Sequence, residues 1–378
     1  MAQAWQPVSQ AERYAVIDVL RGFALFGVLL VNLEGDFRIS LFEHMRRFHT
    51  DPGMWNELTD TLIALFLDFK AITLFSVLFG AGVAIQAERA SKRGIDATAF
   101  LIRRFAVLLG IGLVHMLLIW NGDILVVYAV CGLLLLPLRR LPPWALAGAG
   151  AAVILGVTVF GFSIPVYFPS GGAMARQAMA ARQVYGSGSF AEIMRFRWQE
   201  TGPFIVPLLI GVLPQTAGLM LIGEAAWFGG IFREPERHRR LLIGVLIAGG
   251  VLGFWKHTPI PLAFAYAAAA LLWIGSDRVP GFAAPFAALG RMALTNYLWQ
   301  SIVMGLIFYG YGFGLFGRVG PAVAALIGIG IYVAQLIFSV AWLRRYRFGP
   351  AEWLWRTLTY GRRQPMSLPA RVTGSTGV

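Results

Sequence analysis

The sequence is short of charge, of acid and of cysteine, and each shortage excludes something. Asp, Glu, Lys and Arg together make up 13% of the 378 residues, about half the share of an average soluble domain. Hydrophobic residues make up 57% and the mean hydropathy is +0.66, so the chain is a polytopic membrane protein rather than a soluble enzyme. Acids number 19 against 32 Lys and Arg, a net charge of +13. That excess would suit nucleic acid if it formed one patch, but the bases fall between hydrophobic runs, and no nucleic acid partner is expected. The single cysteine, Cys131, lies inside such a run and permits no internal disulfide. There is no P-loop, no metal-ligand spacing and no Gly-x-Ser-x-Gly nucleophile, so no metal is expected. Residues 1–15 are polar and no small-residue cleavage site follows the first apolar run, so no secretory signal peptide is predicted.

What is present is a series of apolar runs long enough to cross a bilayer as helices. They fall near 16–33, 68–88, 104–120, 123–138, 143–164, 207–232, 241–256, 259–275, 292–310 and 321–343. The expected fold is all-α, a transmembrane bundle of about ten spans, with Leu58–Leu67 either a separate helix or a re-entrant one. Most of the 32 Lys and Arg, including Arg89, Arg103, Arg104, Arg139, Arg140 and Arg233–Arg240, fall in alternate connections. By the positive-inside rule both termini are cytoplasmic. Residues 1–360 then form one transmembrane domain. It has outer segments at 34–57 and 165–205, which either cover an outer opening or lie on the membrane surface. Ser189-Phe190-Ala191-Glu192 has the form of a capping box. Pro350 and the following Trp353 and Trp355 predict an interfacial cytoplasmic helix over 350–360, and 361–378 reads as a disordered tail.

Polar groups inside apolar runs mark candidate sites, because they are costly in hydrocarbon unless paired or facing a polar cavity. In the first run Asp18 and Arg21 lie three residues apart, and Asn32 follows Arg21 by eleven, which returns to almost the same helix face about 16 Å further on. Asp18 and Arg21 either neutralise each other or, with Arg103, Arg104 or Arg291, form a mouth for a phosphate-bearing ligand, which suits the guanidinium fork. At the other membrane face, Lys70 has Asp68 nearby, and His115 sits just before the turn Trp120-Asn121-Gly122-Asp123, with Tyr128 beyond it. The turn brings His115 and Asp123 to similar depth, and a carboxylate can orient a histidine that moves a proton; a hydrogen-bonded packing histidine is the alternative. His44 and His49 lie in the polar outer segment. Arg291, Asn296, Tyr297 and Gln300 fall at the ninth run, Asn296 and Gln300 on one face, where they either line a cavity or bond neighbouring helices. Glu224 is a further intramembrane carboxylate. Glycines such as Gly80 and Gly82 suit close helix packing. These groups fit an enzyme, a transporter of a small or lipid-like molecule, or a non-catalytic lipid- or quinone-binding protein.

Several motifs together resemble a known family. Asp18-x-x-Arg21-Gly22-x-Ala24-x-x-Gly27-x-x-x-x-Asn32 and Lys70-x-x-Thr73-Leu74-Phe75-x-x-Leu78-Phe79-Gly80-Ala81-Gly82 open the match. It continues through His115-x-Leu117-Leu118-x-Trp120-x-Gly122-Asp123, Gly290-Arg291-Met292-Ala293-Leu294-Thr295-Asn296-Tyr297-Leu298-x-Gln300 and Gly349-Pro350-x-Glu352-Trp353-Leu354-Trp355-Arg356. These resemble the YeiB family of bacterial inner-membrane proteins. More distantly the chain is similar to transmembrane acyltransferases, which include heparan-α-glucosaminide N-acetyltransferase and the acyltransferases of surface polysaccharides. The resemblance implies the bacterial inner membrane as location, cytoplasmic acyl-CoA as donor, and an envelope glycan or lipid as acceptor on the outer side; it is compatible with a homodimer in the lipid bilayer. Asp18, Arg21, Asn32, Lys70, Tyr128, Arg291, Asn296, Tyr297 and Gln300 are then candidates for binding substrate or cofactor, with Arg21 at the donor's phosphates, and His115 with Asp123, or His49, for catalysis. Asn32 stands where the polysaccharide branch has a histidine, and His49 falls roughly where the glucosaminide branch has a loop histidine, so both bases remain open at this point.

Overall fold

Apolar runs punctuated by Gly, Pro and short polar turns become, in the computed structural model, a bundle of helices. The structure describes residues 14–46, 51–160, 171–255, 258–275 and 280–368. Among them the only β-type pairing is an isolated bridge between Tyr346 and Ser367.

The first run is α1 (Ala15–Asn32), continued by a π-helical turn over Leu33–Phe37. Helices α2 (Leu41–Arg46) and α3 (Met54–Phe66) follow. The stretch Leu58–Leu67 thus belongs to a separate helix, broken from α4 (Lys70–Lys92) at Phe69, whose φ of 56° is left-handed. The Lys70 ammonium donates 2.6 Å to the Ala64 carbonyl across that break. Asp96 accepts from the Thr98 N–H at 2.8 Å and starts α5 (Ala97–Val114), which widens into a second π-helical turn at His115–Ile119. After the tight turn come α6 (Leu125–Leu135) and α7 (Pro143–Phe160). Helix α8 (Gly171–Ser187) is followed by α9 (Phe190–Glu200), opened by the capping box of Ser189 and Glu192. A third π-helical turn, Thr201–Ile205, leads into α10 (Val206–Phe228). The remainder is α11 (Arg239–Trp255), α12 (Pro259–Ile274), a short α13 (Ala284–Arg291), α14 (Ala293–Phe308), α15 (Pro321–Leu343) and α16 (Pro350–Tyr360).

Five of the described helical stretches are long and apolar enough to cross a membrane: Ala15–Phe37, Met54–Lys92, Ala97–Ile119, Leu209–Phe228 and Pro321–Leu343. Shorter apolar helices cover Pro143–Val159, Pro259–Ile274 and Ala293–Phe308. The protein is an all-α membrane bundle.

Inside a bilayer, lipid tails are as apolar as leucine, so helix association rests on close packing and hydrogen bonds rather than on burial from water. Glycines supply the closest approaches. A Cβ on Gly290 of α13 would lie 1.9 Å from the Asp18 carbonyl oxygen of α1, and one on Gly223 of α10 would lie 1.9 Å from the Val77 carbonyl oxygen of α4. Only a glycine lets either backbone pair come so near. Side-chain bonds add to this: Gln300 donates to Gln335 at 2.8 Å, Gln335 to the Asn296 carbonyl at 2.9 Å, and Asn296 to Ser339 at 3.0 Å. These tie α14 to α15.

Residues 361–368, read as the start of a disordered tail, are bonded to the helices before them. Arg347 N–H donates to the Met366 carbonyl at 2.9 Å, Leu368 N–H to Arg345 at 3.1 Å, and the Trp353 indole to Gln364 at 2.8 Å. These bonds hold Gly361–Leu368 against α16 and the end of α15; residues 369–378 lie outside the described part.

Candidate functional site

One cavity of about 750 Å³ runs through the bundle, and a separate small void of about 10 Å³ lies beside Glu224. Along α1 and its π-helical turn, Asp18, Arg21, Leu25, Val28, Asn32 and Asp36 line the cavity, a helical face roughly 25 Å long. The middle is largely apolar, from Leu25, Val28, Phe75, Leu108, Leu209 and Val212.

At one end, called here the basic end, Arg21, Arg89, Arg104, Arg291, Arg347 and Arg356 line the wall together with two carboxylates, Asp18 and Glu352. Arg21 pairs with Asp18 at 3.3 Å and donates to the Leu78 carbonyl at 3.4 Å. Gly82 makes room for it, since a Cβ there would stand 2.8 Å from the guanidinium. The Arg104 guanidinium lies 3.6 Å over the Trp355 ring, whose N–H donates to the Arg104 carbonyl at 3.0 Å. Arg356 lies over Phe348 at 4.3 Å. Glu352 accepts from the Leu294 N–H at 2.7 Å, the Thr295 N–H at 3.1 Å and the Thr295 hydroxyl at 2.5 Å. It therefore caps the first turn of α14, where free N–H groups and the helix dipole favour an anion. Burial nevertheless pushes its carboxyl above the usual range.

The far end is built from the three π-helical turns. The wide turn at His115–Ile119 ends in an extended Trp120. The Trp120 indole donates to Asp36 at 2.7 Å, which joins this turn to that of α1. His115 Nδ1 lies 2.8 Å from Asp123 Oδ1, and Asp123 Oδ2 accepts from the Val126 N–H at 2.8 Å. Tyr297 O–H points to Asp123 Oδ1 at 3.5 Å, and its oxygen accepts from the Ile124 N–H at 3.4 Å. A Cβ at Gly112 would stand 3.1 Å from Asp123 Oδ2, so glycine admits the carboxylate beside α5. His115 and Asp123 are fully buried, and His115 Nε2 has no hydrogen-bond partner. The cavity reaches Trp120, Asp123 and Tyr297, with His115 directly behind them.

Behind the same turn, Glu200 accepts from Asn121 at 3.0 Å, Tyr185 at 3.0 Å and Gln177 at 3.2 Å. Burial raises its carboxyl above the usual range despite these donors. Arg38, buried after the π-helical turn of α1, pairs with Glu34 at 2.7 Å and Asp51 at 2.5 Å. Buried polar bonds thus fasten Asp51, Gln177, Tyr185 and Glu200 to the neighbouring helix ends.

Of the residues singled out from sequence, Asp18, Arg21, Asn32, Asp123, Tyr128, Arg291 and Tyr297 line the cavity, as does His44. His115 joins through Asp123. Lys70, Asn296 and Gln300 do not line it: Lys70 closes the α3–α4 break and the two amides bond neighbouring helices. Glu224 lies instead at the small second void, with Arg139. His49 lies outside the described residues. Sequence reasoning missed Asp36, Arg89, Arg347, Glu352 and Arg356 as wall residues. Asp36 follows Asn32 by four on the α1 face, a signal that extending the helix four residues would have revealed. Arg89, Arg347 and Arg356 carried only the signal of charges at span ends.

The family described as protein of unknown function (DUF418) matches residues 247–362, the stretch that supplies Arg291, Tyr297, Arg347, Glu352 and Arg356. Relatives extend the similarity to nearly the whole chain. The uncharacterized protein YxaH of Bacillus subtilis strain 168 is 36% identical over 97% of this chain and 99% of its own length. An uncharacterized 39.9 kDa protein from the amylase 3' region of Bacillus acidopullulyticus is 30% identical over 96% and 98%. The uncharacterized protein YeiB of Escherichia coli K12 is 30% identical over 92% and 96%. With 30% identity to YeiB over 92% of its length, the chain belongs to the YeiB family of membrane proteins.

Proposed function

We propose that the protein is an acyltransferase of the bacterial inner membrane, taking an acyl group from cytoplasmic acyl-CoA at the basic end and delivering it to an acceptor at the far end. The observation that carries this reading is a single cavity joining an arginine-lined mouth to a buried imidazole–carboxylate pair. The positive-inside rule puts the basic end in the cytoplasm. Guanidiniums suit the donor's phosphates, and the apolar middle suits its acyl chain. Transfer breaks the acyl C–S bond and forms a C–O or C–N bond to the acceptor; the acceptor's proton is removed and CoA leaves as the thiol.

The proton acceptor in this reading is His115. Its Nδ1 contact with Asp123 holds the tautomer that leaves Nε2 basic, as a carboxylate partner does for a general base. The wall in front of it is Trp120, Asp123 and Tyr297, so the acceptor group reaches Nε2 by displacing one of the two rings. Purified protein in lipid nanodiscs, given labelled acyl-CoA, should release free CoA thiol. No release and no binding of acyl-CoA would remove the proposal.

Transport is the second reading, favoured by Ser76, Tyr128, Gln215 and Thr216, polar groups midway along the same cavity. Counterflow of an unmodified substrate in proteoliposomes, with no covalent change, would select it.

A further inference from the structure

The cavity has a side as well as two ends. Among the described residues that line it, His44 and Phe69 alone are exposed, Phe69 by 56%, while the others are buried or half-buried. A wall residue that is also exposed stands at a rim. This rim lies between α2, which carries His44, and the break from α3 to α4, which carries Phe69. Asp68, beside Phe69, is near enough to His44 for their charges to act on each other, and a Cβ on Gly35 would lie 4.0 Å from the His44 ring.

Depth decides what the rim faces. A Cβ on Gly27 of α1 would lie 2.7 Å from the Ala71 Cβ and 3.6 Å from a Leu67 methyl, and Ile63 of α3 packs with Leu30 and Ala325. Gly27 stands about 9 Å beyond Arg21 along α1, so the break lies between the levels of Arg21 and Asn32, within the hydrocarbon rather than above it. At the start of α3, Asn56 accepts from the Ala322 N–H at 3.2 Å, at the first turn of α15. Helix α3 thus descends beside α15 and α1 from the far-end surface to the break. On its other side Leu58, Leu62 and Phe66 are exposed, one per turn on one face, and lead down to Phe69. At this depth the stripe faces acyl chains. Irregular backbone there is tolerated where it lines a cavity, as the break does.

Behind the rim the wall is polar, from Asn32, Asp36, Asp68 and Asp123, with no lysine or arginine at this end among the described residues. Lys70 directs its ammonium to the Ala64 carbonyl and is not part of the wall. Carboxylates and a carboxamide accept hydrogen bonds from hydroxyl groups and repel phosphate.

We infer that the gap between α2 and the α3–α4 break is a lateral portal for an outer-leaflet lipid with a neutral, hydroxyl-bearing head, which places the head in the far end of the cavity and the chains along the α3 stripe. The inference deepens the acceptor half of the acyl-transfer reading and rests on it for the orientation of the bundle and for an acceptor hydroxyl.

The test is photolabelling of the full-length protein in phosphatidylcholine nanodiscs, with labelled peptides mapped by mass spectrometry. The probes are a diacylglycerol, a monoglucosyl diacylglycerol and phosphatidic acid, each with a diazirine on one chain close to the head. The two neutral lipids should label Asp68 or Ile72 at the portal, and excess unlabelled lipid should compete. Labelling of Leu326 and Ile337, exposed on α15, should resist competition, as contact with bulk lipid does. Phosphatidic acid should label the portal about tenfold less than the diacylglycerol. Ile72→Trp, which fills the entrance, should lower portal labelling about tenfold and leave Leu326 and Ile337 unchanged. Asp68→Lys should raise phosphatidic acid labelling at Ile72 relative to the diacylglycerol, and melting curves of each variant separate a closed portal from misfolding. Labelling confined to Leu326 and Ile337, portal labelling that neither competitor nor Ile72→Trp reduces, or equal portal labelling by phosphatidic acid overturns the inference. Thiol release from acyl-CoA without portal labelling keeps the acyl-transfer reading and overturns the portal. Competed portal labelling without thiol release keeps the portal and removes the acyl-transfer reading.

Discussion

At one end of the cavity six arginines stand with two carboxylates; at the other, Asp36, Asp68 and Asp123 line the wall, with no lysine or arginine among the described residues. The supporting structure differs in the same way. Five of the six arginines belong to regular α-helices and two of them, Arg104 and Arg356, lie over Trp355 and Phe348, whereas the far-end groups are aimed by π-helical turns at Leu33–Phe37, His115–Ile119 and Thr201–Ile205. A π-helical turn rotates the following side chains out of helical register and recurs at functional sites. The basic end is therefore suited to binding charge, and the far end to holding particular atoms in register. In the acyl-transfer reading this separates donor affinity from proton transfer, and substitutions at the two ends should have different kinetic signatures.

The largest effect is expected at the far end. His115→Ala and Asp123→Asn should each lower the transfer rate about 10²–10⁴-fold while leaving equilibrium donor binding unchanged, as measured by thiol release beside a binding isotherm. Next is the backbone contact that supports the basic end. Gly290→Leu forces side-chain atoms against the Asp18 carbonyl, where even a Cβ would lie 1.9 Å away, and should destabilise the fold by about 1–3 kcal/mol or more, seen as a lowered melting temperature. Arg291→Gln should raise the donor KM about tenfold with kcat nearly retained, the reverse of the Asp123→Asn pattern. Loss of kcat alone in Arg291→Gln would abolish the division between the ends.

The smallest effect sharpens a likeness between the ends. Glu200 at the far end and Glu352 at the basic end both have carboxyls raised by burial. A raised folded-state value means that the folded protein holds the proton more tightly than the unfolded chain. Each contribution is thus fully present below the usual carboxylate value and is lost as pH rises through the folded value. Melting temperatures measured between about pH 4 and pH 8 should fall toward higher pH, and Glu200→Gln or Glu352→Gln should flatten part of that slope.

Much of the framework was legible in the sequence because apolar length and helical period are local properties. The α1 run shows Asp18, Arg21 and Asn32 by spacing alone, and the capping box at Ser189 is visible as a tetrapeptide. What period cannot give is the partner of a face. Asn296 and Tyr297 are adjacent, about 100° apart on α14; Tyr297 meets the cavity while Asn296 meets α15. Lys70 reads as an intramembrane cation, yet its amine serves a carbonyl at a helix break that the sequence leaves ambiguous. Asp36 was hidden because the hydrophobic run ends near residue 33, whereas the π-helical turn carries the same face to Phe37. Arg89, Arg347 and Arg356 were hidden because a charge that sets topology and a charge that lines a mouth have the same signature in one dimension.

The central claim is that one cavity divides donor binding from proton transfer between its two ends. The most direct measurement is steady-state thiol release from acyl-CoA by Arg291→Gln and Asp123→Asn protein in nanodiscs, each over a donor range that reaches saturation. The account predicts that Arg291→Gln approaches the wild-type rate at saturating donor, while Asp123→Asn stays at least about 10²-fold slower at every concentration. Two variants with the same curve, or an Asp123→Asn defect relieved by more donor, would contradict it.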